Sequence, residues 1–189
     1  HSKDKVDFYD IKADVEAVLD AAGAGAEFDF IADQKTGFHP GQCARVERAG
    51  KVVGYLGTLH PQIAAEFDID QSVFMFELEY AAIESGKLPA FKELSRFPEV
   101  RRDLALVVDT QVAAAELIKC MRVAAGEWLT KIQIFDVYQG SGVEQGHKSM
   151  AVGLTWQHPS RTLTDEEVSN ATQQVLSALA QEFAATLRA

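Results

Sequence analysis

With 189 residues, 47% of them hydrophobic and 24% charged, the chain has an ordinary globular composition and the length of one large or two small domains. No apolar run approaches the ~20 residues of a membrane span and no secretory segment is visible, so we expect a cytoplasmic protein without a membrane partner. The net charge of −10 argues against a general nucleic-acid binder, although the acidic excess lies mostly in residues 1–91 and the second half is nearly neutral.

Two further features concern the context of the chain. It begins with His1-Ser2 instead of Met, which indicates a piece of a longer protein. Its two cysteines, Cys43 and Cys120, lie far apart and match no metal-ligand spacing. We therefore expect reduced thiols and no disulfide.

The first half predicts a mixed α/β unit. Asp10 is predicted to cap a helix over about residues 11–22, which Gly23 would stop. Strand patterns then follow, with a hairpin turn at residues 48–51 and a short helix from Pro61 to about Phe67; the predicted strands are residues 28–30, 44–47, 52–59 and 73–80. Alternate residues of the last strand form one apolar side assigned to the core or to a subunit interface, namely Phe74, Phe76, Leu78 and Tyr80.

Residues 85–98 are predicted to link two domains. This segment contains a Gly and two Pro, which interrupt both helical and strand periodicity. We therefore expect one domain in residues 1–91 and a second in residues 92–189.

The second half predicts a ferredoxin-like domain. Its elements are a strand, a helix, two strands joined by a Gly-rich turn, a helix and a short strand, at residues 102–108, 113–125, 129–138, 148–157, 164–182 and 183–188. Thr164 and Glu167 have the spacing of a capping box at the start of the second helix. The order β-α-β-β-α-β is that of the split βαβ fold, in which helices cover one sheet face.

Strand alternation predicts which side chains lie on the uncovered sheet face. If Phe135 and Val137 join the core, Asp136 and Tyr138 lie on the uncovered face with Ala105 and Ser149, together with Ile132 and Ile134. An acid, an aromatic ring and a hydroxyl among small residues are suited to a flat polar ligand such as a nucleic acid base. A plain solvated face, or one that binds protein or a small ligand, has the same pattern.

Several motifs resemble those of one family, the C-terminal region of the bacterial phenylalanyl-tRNA synthetase β subunit. In the second half they are residues 95–108, Phe135-Asp-Val-Tyr-Gln-Gly140, Gly146-His-Lys-Ser149 and residues 161–168. In the first half, residues 7–12, 39–41, 54–57 and 59–61 look similar to the catalytic-like module of that subunit. The resemblance extends over essentially the whole chain.

The resemblance implies roles for individual residues. The ferredoxin-like domain would bind the anticodon of tRNAPhe, with Tyr138 stacking on a base, Asp136 and Ser149 bonding base edges, and Ala105 in close contact. The best candidates for phosphate contacts are Arg101, Arg102 and Lys148.

The resemblance also implies that this chain is not itself catalytic. The first half would be an inert, class II synthetase-like scaffold that contacts the α subunit. That subunit would attach phenylalanine to tRNA, using ATP and magnesium. We therefore expect no catalytic residue, cofactor or metal in this chain.

Two alternatives stay open. One is a stand-alone protein-interaction or regulatory module without an RNA role. The other is a metal-dependent enzyme using His39 and His60, although neither has a carboxylate or cysteine partner at ligand spacing. We expect both histidines to hold turns through bonds to the backbone.

Overall fold

Two separate hydrophobic cores form in the computed structural model, one in each half of the chain. The model describes residues 5–84 and 94–188, and the chain divides into two units, residues 1–91 and 92–189. Most of the predicted linker, residues 85–93, lies outside the described residues. Across residues 5–84 and 94–188, no helix is long and apolar enough to cross a membrane.

The first unit contains both helices and strands, as predicted, and its strands form one antiparallel sheet. Its elements are α1 (Phe8–Ala21), β1 (Phe28–Ala32), β2 (Phe38–Arg48), β3 (Lys51–Leu59), α2 (Pro61–Glu66), β4 (Phe74–Leu78) and α3 (Tyr80–Glu84). The strands pair in chain order, each antiparallel to its neighbours. The core joins Val15 and Leu19 of α1 to Val46 of β2 and Leu56 of β3.

The start of α1 differs from the prediction. Asp7, not Asp10, is the N-cap: its Oδ1 accepts from the amide of Tyr9 at 2.7 Å. Asp10 instead reaches back and accepts from the amide of Asp7 at 2.6 Å. The helix begins about one turn early because the two carboxylates satisfy amides that a helix start leaves unpaired. It ends as predicted, before Gly23 at φ 76°.

The β2–β3 hairpin forms where it was predicted. Arg48 pairs with Lys51, so the loop contains only Ala49 and Gly50. Both have positive φ, 50° and 77°. This is the conformation of a type I′ turn, whose twist matches that of the strands it connects.

Strand β4 is shorter than predicted. It ends at Leu78, and Tyr80 begins α3 with 74% of its surface exposed. Tyr80 therefore does not extend the apolar side of the strand. Phe76 is also exposed, whereas Phe74 and Leu78 are half-buried.

The second unit has the predicted β-α-β-β-α-β order. Its elements are β5 (Val100–Asp109), α4 (Ala114–Ala124), β6 (Leu129–Tyr138), β7 (His147–Trp156), α5 (Asp165–Phe183) and β8 (Thr186–Leu187). The sheet order is β6-β7-β5-β8, with every neighbouring pair antiparallel. This is the ferredoxin-like topology.

Helices α4 and α5 cover one face of this sheet. Leu106 and Val152 from the central strands are fully buried with Leu117 of α4 and Leu179 of α5. Trp156 at the end of β7 is also buried, and its indole nitrogen donates to the carbonyl of Ala125 at 3.1 Å. The predicted core side of β7, from Met150 to Trp156, is confirmed.

Candidate nucleic-acid interface

No helix within residues 94–188 packs on the other face of the second sheet. We call this face the open face. Arg101, Asp103 and Ala105 of β5 lie on it, and small residues of β7 provide its centre: Ser149, Ala151, Gly153 and Thr155. The large apolar side chains of these strands point to the core instead, so the β7 residues at the centre of the open face are small.

A β-bulge at Phe135 changes which side chains of β6 reach the open face. Ile134 pairs with Val152, but Asp136 pairs with the next residue of β7, Ala151. Phe135 is therefore an extra residue, and the alternation of β6 shifts by one position after it.

Two predictions for β6 are wrong. Ile132 and Ile134 pack against the core instead of sharing a face with Tyr138. Phe135 and Val137 do not join the core, since they are 50% and 53% exposed. In a regular strand, Ile134 and Asp136 would lie on the same face because they are two residues apart. The extra residue between them places Ile134 towards the core and Asp136 on the open face.

Tyr138 is held in place at the end of β6. Its hydroxyl donates to the carbonyl of Ser141 at 3.2 Å. The guanidinium carbon of Arg188 lies 5.3 Å from the ring centroid, within cation–π range. A Cβ on Gly140 would come within 2.6 Å of the hydroxyl, so any other residue at this position would displace the Tyr138 ring. The ring nevertheless remains 36% exposed.

The structure places the four residues predicted to contact the anticodon on the open face. Tyr138 pairs with Ser149, and the row beside them runs from Asp136 through Ala151 to Ala105. Asp136 is exposed and Ala105 is half-buried, whereas Ser149 is only 5% exposed. A ligand on this face therefore meets the ring and the carboxylate before it meets the Ser149 hydroxyl.

The three basic residues predicted to contact phosphate do not lie together. Arg101 is on the open face, where its Nε donates to Asp103 at 2.7 Å. Arg102 and Lys148 lie on the opposite, helix-covered side of the sheet.

The contacts of Arg102 and Lys148 account for their side-chain positions. Arg102 pairs with Asp165 at the start of α5, at 3.1 Å. The Lys148 ammonium donates to the carbonyls of Thr110 and Val112, at 3.1 and 2.7 Å. These two cations therefore lie on the helix-covered side of the sheet, away from the open face that carries Tyr138.

The open-face residues that were not predicted include Phe135 and Arg188. Phe135 reaches the face because of the bulge, for which the sequence carries no signal. Arg188 follows β8, and its amide donates to the carbonyl of Ala105 at 2.8 Å, which anchors it beside the sheet. Its approach to Tyr138 depends on two segments that are fifty residues apart in sequence.

The histidines considered as metal ligands hold turns, as predicted. Nδ1 of His39 accepts from the amide of Gly41 at 3.0 Å, and Nδ1 of His60 caps α2 by accepting from Gln62 at 3.2 Å. Within residues 5–84 and 94–188, no three His, Cys, Asp or Glu side chains group in a way that could hold a metal ion.

Comparisons with known protein families match both units. Residues 95–188 match the model of the ferredoxin-fold anticodon binding domain. Residues 1–80 match the model of the phenylalanyl tRNA synthetase beta chain CLM domain.

Individual relatives agree with these matches. The chain is 55% identical over 186 residues to a phenylalanine–tRNA ligase beta subunit of Pseudomonas fluorescens, covering 98% of this chain and 24% of that protein. It is 42% identical to the beta subunit of Hahella chejuensis and 40% identical to that of Vibrio cholerae, covering 98% and 97% of this chain and 23% of each relative. The chain thus spans about a quarter of the length of these relatives.

Proposed function

Because this chain belongs to the family of phenylalanine–tRNA ligase beta subunits, we propose that the open face of its second unit binds the anticodon of tRNAPhe. The observation that carries the proposal is the exposed Tyr138 ring beside the exposed Asp136 carboxylate, above a centre of small residues. Single-stranded bases are recognised by stacking on aromatic rings and by hydrogen bonds to their edges.

Tyr138 supplies the stacking surface. Its ring is already oriented by the bond to Ser141, so little side-chain entropy is lost when a base stacks on it. In the free protein Arg188 contacts this ring. A base takes over that contact, and the displaced guanidinium becomes a donor for a phosphate of the same strand.

Asp136 and Ser149 read the edge of the base. A carboxylate accepts the ring and exocyclic N–H groups of guanine and repels phosphate, so Asp136 selects a base edge over the backbone. The buried Ser149 hydroxyl lies deeper on the same face, beside Tyr138. Ala105 leaves room for close approach. Arg101 is the predicted phosphate contact that we retain on this face.

For the first unit we propose a supporting role. It acts as a non-catalytic, class II synthetase-like scaffold that contacts the α subunit of a cytoplasmic enzyme. The α subunit joins phenylalanine to tRNA with ATP and magnesium. Exposed aromatic side chains on this unit, Tyr9, Phe67, Phe76 and Tyr80, are suited to burial against such a partner.

The anticodon proposal is tested by titrating a fluorescein-labelled anticodon stem-loop of tRNAPhe with the chain at low salt, using fluorescence anisotropy. A base–aromatic stack contributes roughly 1–3 kcal/mol, so Tyr138→Ala should weaken binding by about 5- to 150-fold. Tyr138→Phe keeps the ring and loses only the hydroxyl bond, and it should bind within a few-fold of the parent chain. Asp136→Asn should weaken the preference for a guanine-containing loop.

If the parent chain and Tyr138→Ala bind the stem-loop with equal affinity, the proposed binding site on the open face is wrong. No binding of the stem-loop at any concentration would favour the alternative of a protein-interaction module. Val137→Ala is the matched control, because Val137 is an exposed neighbour on β6 paired with the core-side Met150. It should leave the affinity unchanged.

A further inference from the structure

Phe135 is an exposed aromatic side chain that does not pack against the hydrophobic core. Half of its surface is exposed, although the neighbouring isoleucines of β6 pack against the core. It is the additional residue of the bulge, and bulges next to functional sites commonly redirect a side chain. Here the redirected side chain is a large apolar ring beside a face of small residues.

Arg101 forms the second half of this arrangement. Its guanidinium carbon lies 5.5 Å from the centroid of the Phe135 ring, and its Nε is fixed by Asp103. The contact shows that Phe135 reaches the open face from β6, while Arg101 reaches it from β5.

Gly153 makes room for this pairing. It lies on β7 between the two strands, and a Cβ at this position would come within 2.7 Å of Nη2 and 2.9 Å of Cζ of Arg101. The Arg101 guanidinium therefore lies close to the backbone of β7, and a side chain at position 153 would push it away from the sheet.

We propose that Phe135 and Arg101 form a second stacking platform, which takes a base of the same RNA strand neighbouring the base on Tyr138. The inference rests on the anticodon-binding function proposed above. Aromatic rings and guanidinium planes both stack on unpaired bases, and a single sheet face can hold two or three bases in this way.

The spacing and the charge of the face suit a continuous single strand. Phe135 and Tyr138 are three residues apart on one strand, a span of about 10 Å before the bulge shortens it. Asp136 lies between them on the open face, so the base edges over this gap meet an acceptor. The Arg101 and Arg188 guanidiniums lie against the two rings and supply positive charge for the phosphates.

The test uses the chain with two labelled stem-loops. Each carries the fluorescent base 2-aminopurine, one at the first anticodon position and one at the neighbouring position, and quenching reports stacking at each position separately. Phe135→Leu should weaken binding about 5- to 150-fold and abolish quenching at only one of the two positions. Tyr138→Ala should abolish it at the other.

Gly153→Ala provides a variant that leaves both rings in place. The three atoms nearest to the added methyl all belong to the end of the flexible Arg101 side chain, so we expect the fold to be kept while Arg101 is displaced from Phe135. We expect reduced quenching at the Phe135 position and unchanged quenching at the Tyr138 position. Val137→Ala should alter neither signal.

The outcomes separate the two proposals. If Tyr138→Ala abolishes quenching at its position while Phe135→Leu and Gly153→Ala change nothing, the second platform is wrong and the anticodon proposal stands. If none of the variants changes quenching or affinity, the open face does not bind RNA and both proposals fail.

Discussion

Replacing Thr164 by Ala should lower the free energy of unfolding of the second unit by about 1 kcal/mol, within a range of roughly 0.5–2 kcal/mol for loss of an N-cap. Thr164 caps the 19-residue helix α5, and its hydroxyl accepts from the amide of Glu167 at 3.3 Å. Without it, that amide has no capping side chain. Because the bond is long, the lower half of the range is expected.

The rest of the capping network survives the substitution. Glu167 accepts from the backbone amide of residue 164 at 2.9 Å, and this bond does not require the threonine side chain. Arg161 donates to both carboxylate oxygens of Glu167, at 2.8 and 2.6 Å. The substitution therefore removes only the two bonds of the hydroxyl, the one it accepts from the Glu167 amide and the one it donates to Oε2 of Glu167 at 3.1 Å, and the helix should remain formed.

Tryptophan fluorescence during urea unfolding isolates the second unit. The chain has two tryptophans, Trp128 and Trp156, both in residues 92–189, and Trp156 is fully buried. For a unit of this size, a loss of 1 kcal/mol also lowers the melting temperature by roughly 4–8 °C. The urea midpoint of Thr164→Ala should be lower than that of the parent chain, while the slope of the free energy of unfolding against urea concentration stays the same.

Thr162→Ala is the matched control. Thr162 is an exposed threonine two residues earlier, and its backbone carbonyl, not its side chain, accepts from Arg161 at 3.4 Å. This substitution should change stability by less than about 0.5 kcal/mol. If Thr162→Ala and Thr164→Ala shift the urea midpoint equally, the capping explanation is wrong.

Three other results are expected. Bonds from Arg161 and from the residue 164 amide lower the pKa of Glu167 to about 2, from an ordinary value of 4.5. The contribution of the ionised Glu167 to stability is therefore present above pH 4.5 and is lost as the pH falls towards 2. In urea titrations between these pH values, the free energy of unfolding of Glu167→Gln should fall less than that of the parent chain. Lys148→Met should lower the urea midpoint because the carbonyls of Thr110 and Val112 lose their donor. It should leave the salt dependence of stem-loop binding unchanged, and a shallower salt dependence would show that Lys148 contacts a phosphate after all. Burial and a hydrogen bond with Glu182 raise the pKa of Cys120 to about 11. At pH 8 its thiol should therefore react with Ellman's reagent far more slowly in the folded chain than in urea. Equal reaction rates would contradict the burial of Cys120.

Local sequence signals predicted much of the second unit. The Thr164–Glu167 capping box lies where the spacing indicated, because it depends only on residues within one helical turn. The apolar side of β7 was also predicted, since Met150, Val152 and Trp156 alternate without interruption. In the first unit the same local reasoning misplaced the cap of α1, because Asp7 and Asp10 are both good caps and only their mutual bonding decides which one begins the helix.

The open face could be predicted only in part. Asp136, Tyr138 and Ser149 were placed together correctly, but through an assumption about Phe135 that is wrong. The bulge moves the isoleucines to the core and keeps Asp136 and Tyr138 on the open face. The prediction missed the bulge and also assigned Phe135 to the core. These two errors compensated for each other, so Asp136 and Tyr138 were still assigned to the correct face.

By itself, the sequence determined the order of elements in the second unit, the apolar side of the central strands and the residue types that we propose for base recognition. These follow from periodicity and capping, which act over a few neighbouring residues. Only the tertiary structure decided that Arg102 and Lys148 face the helices while Arg101 and Arg188 face the aromatic rings. The physical reason is that strand register, a bulge and contacts between distant segments set the direction of a side chain, and none of these is encoded within a single strand.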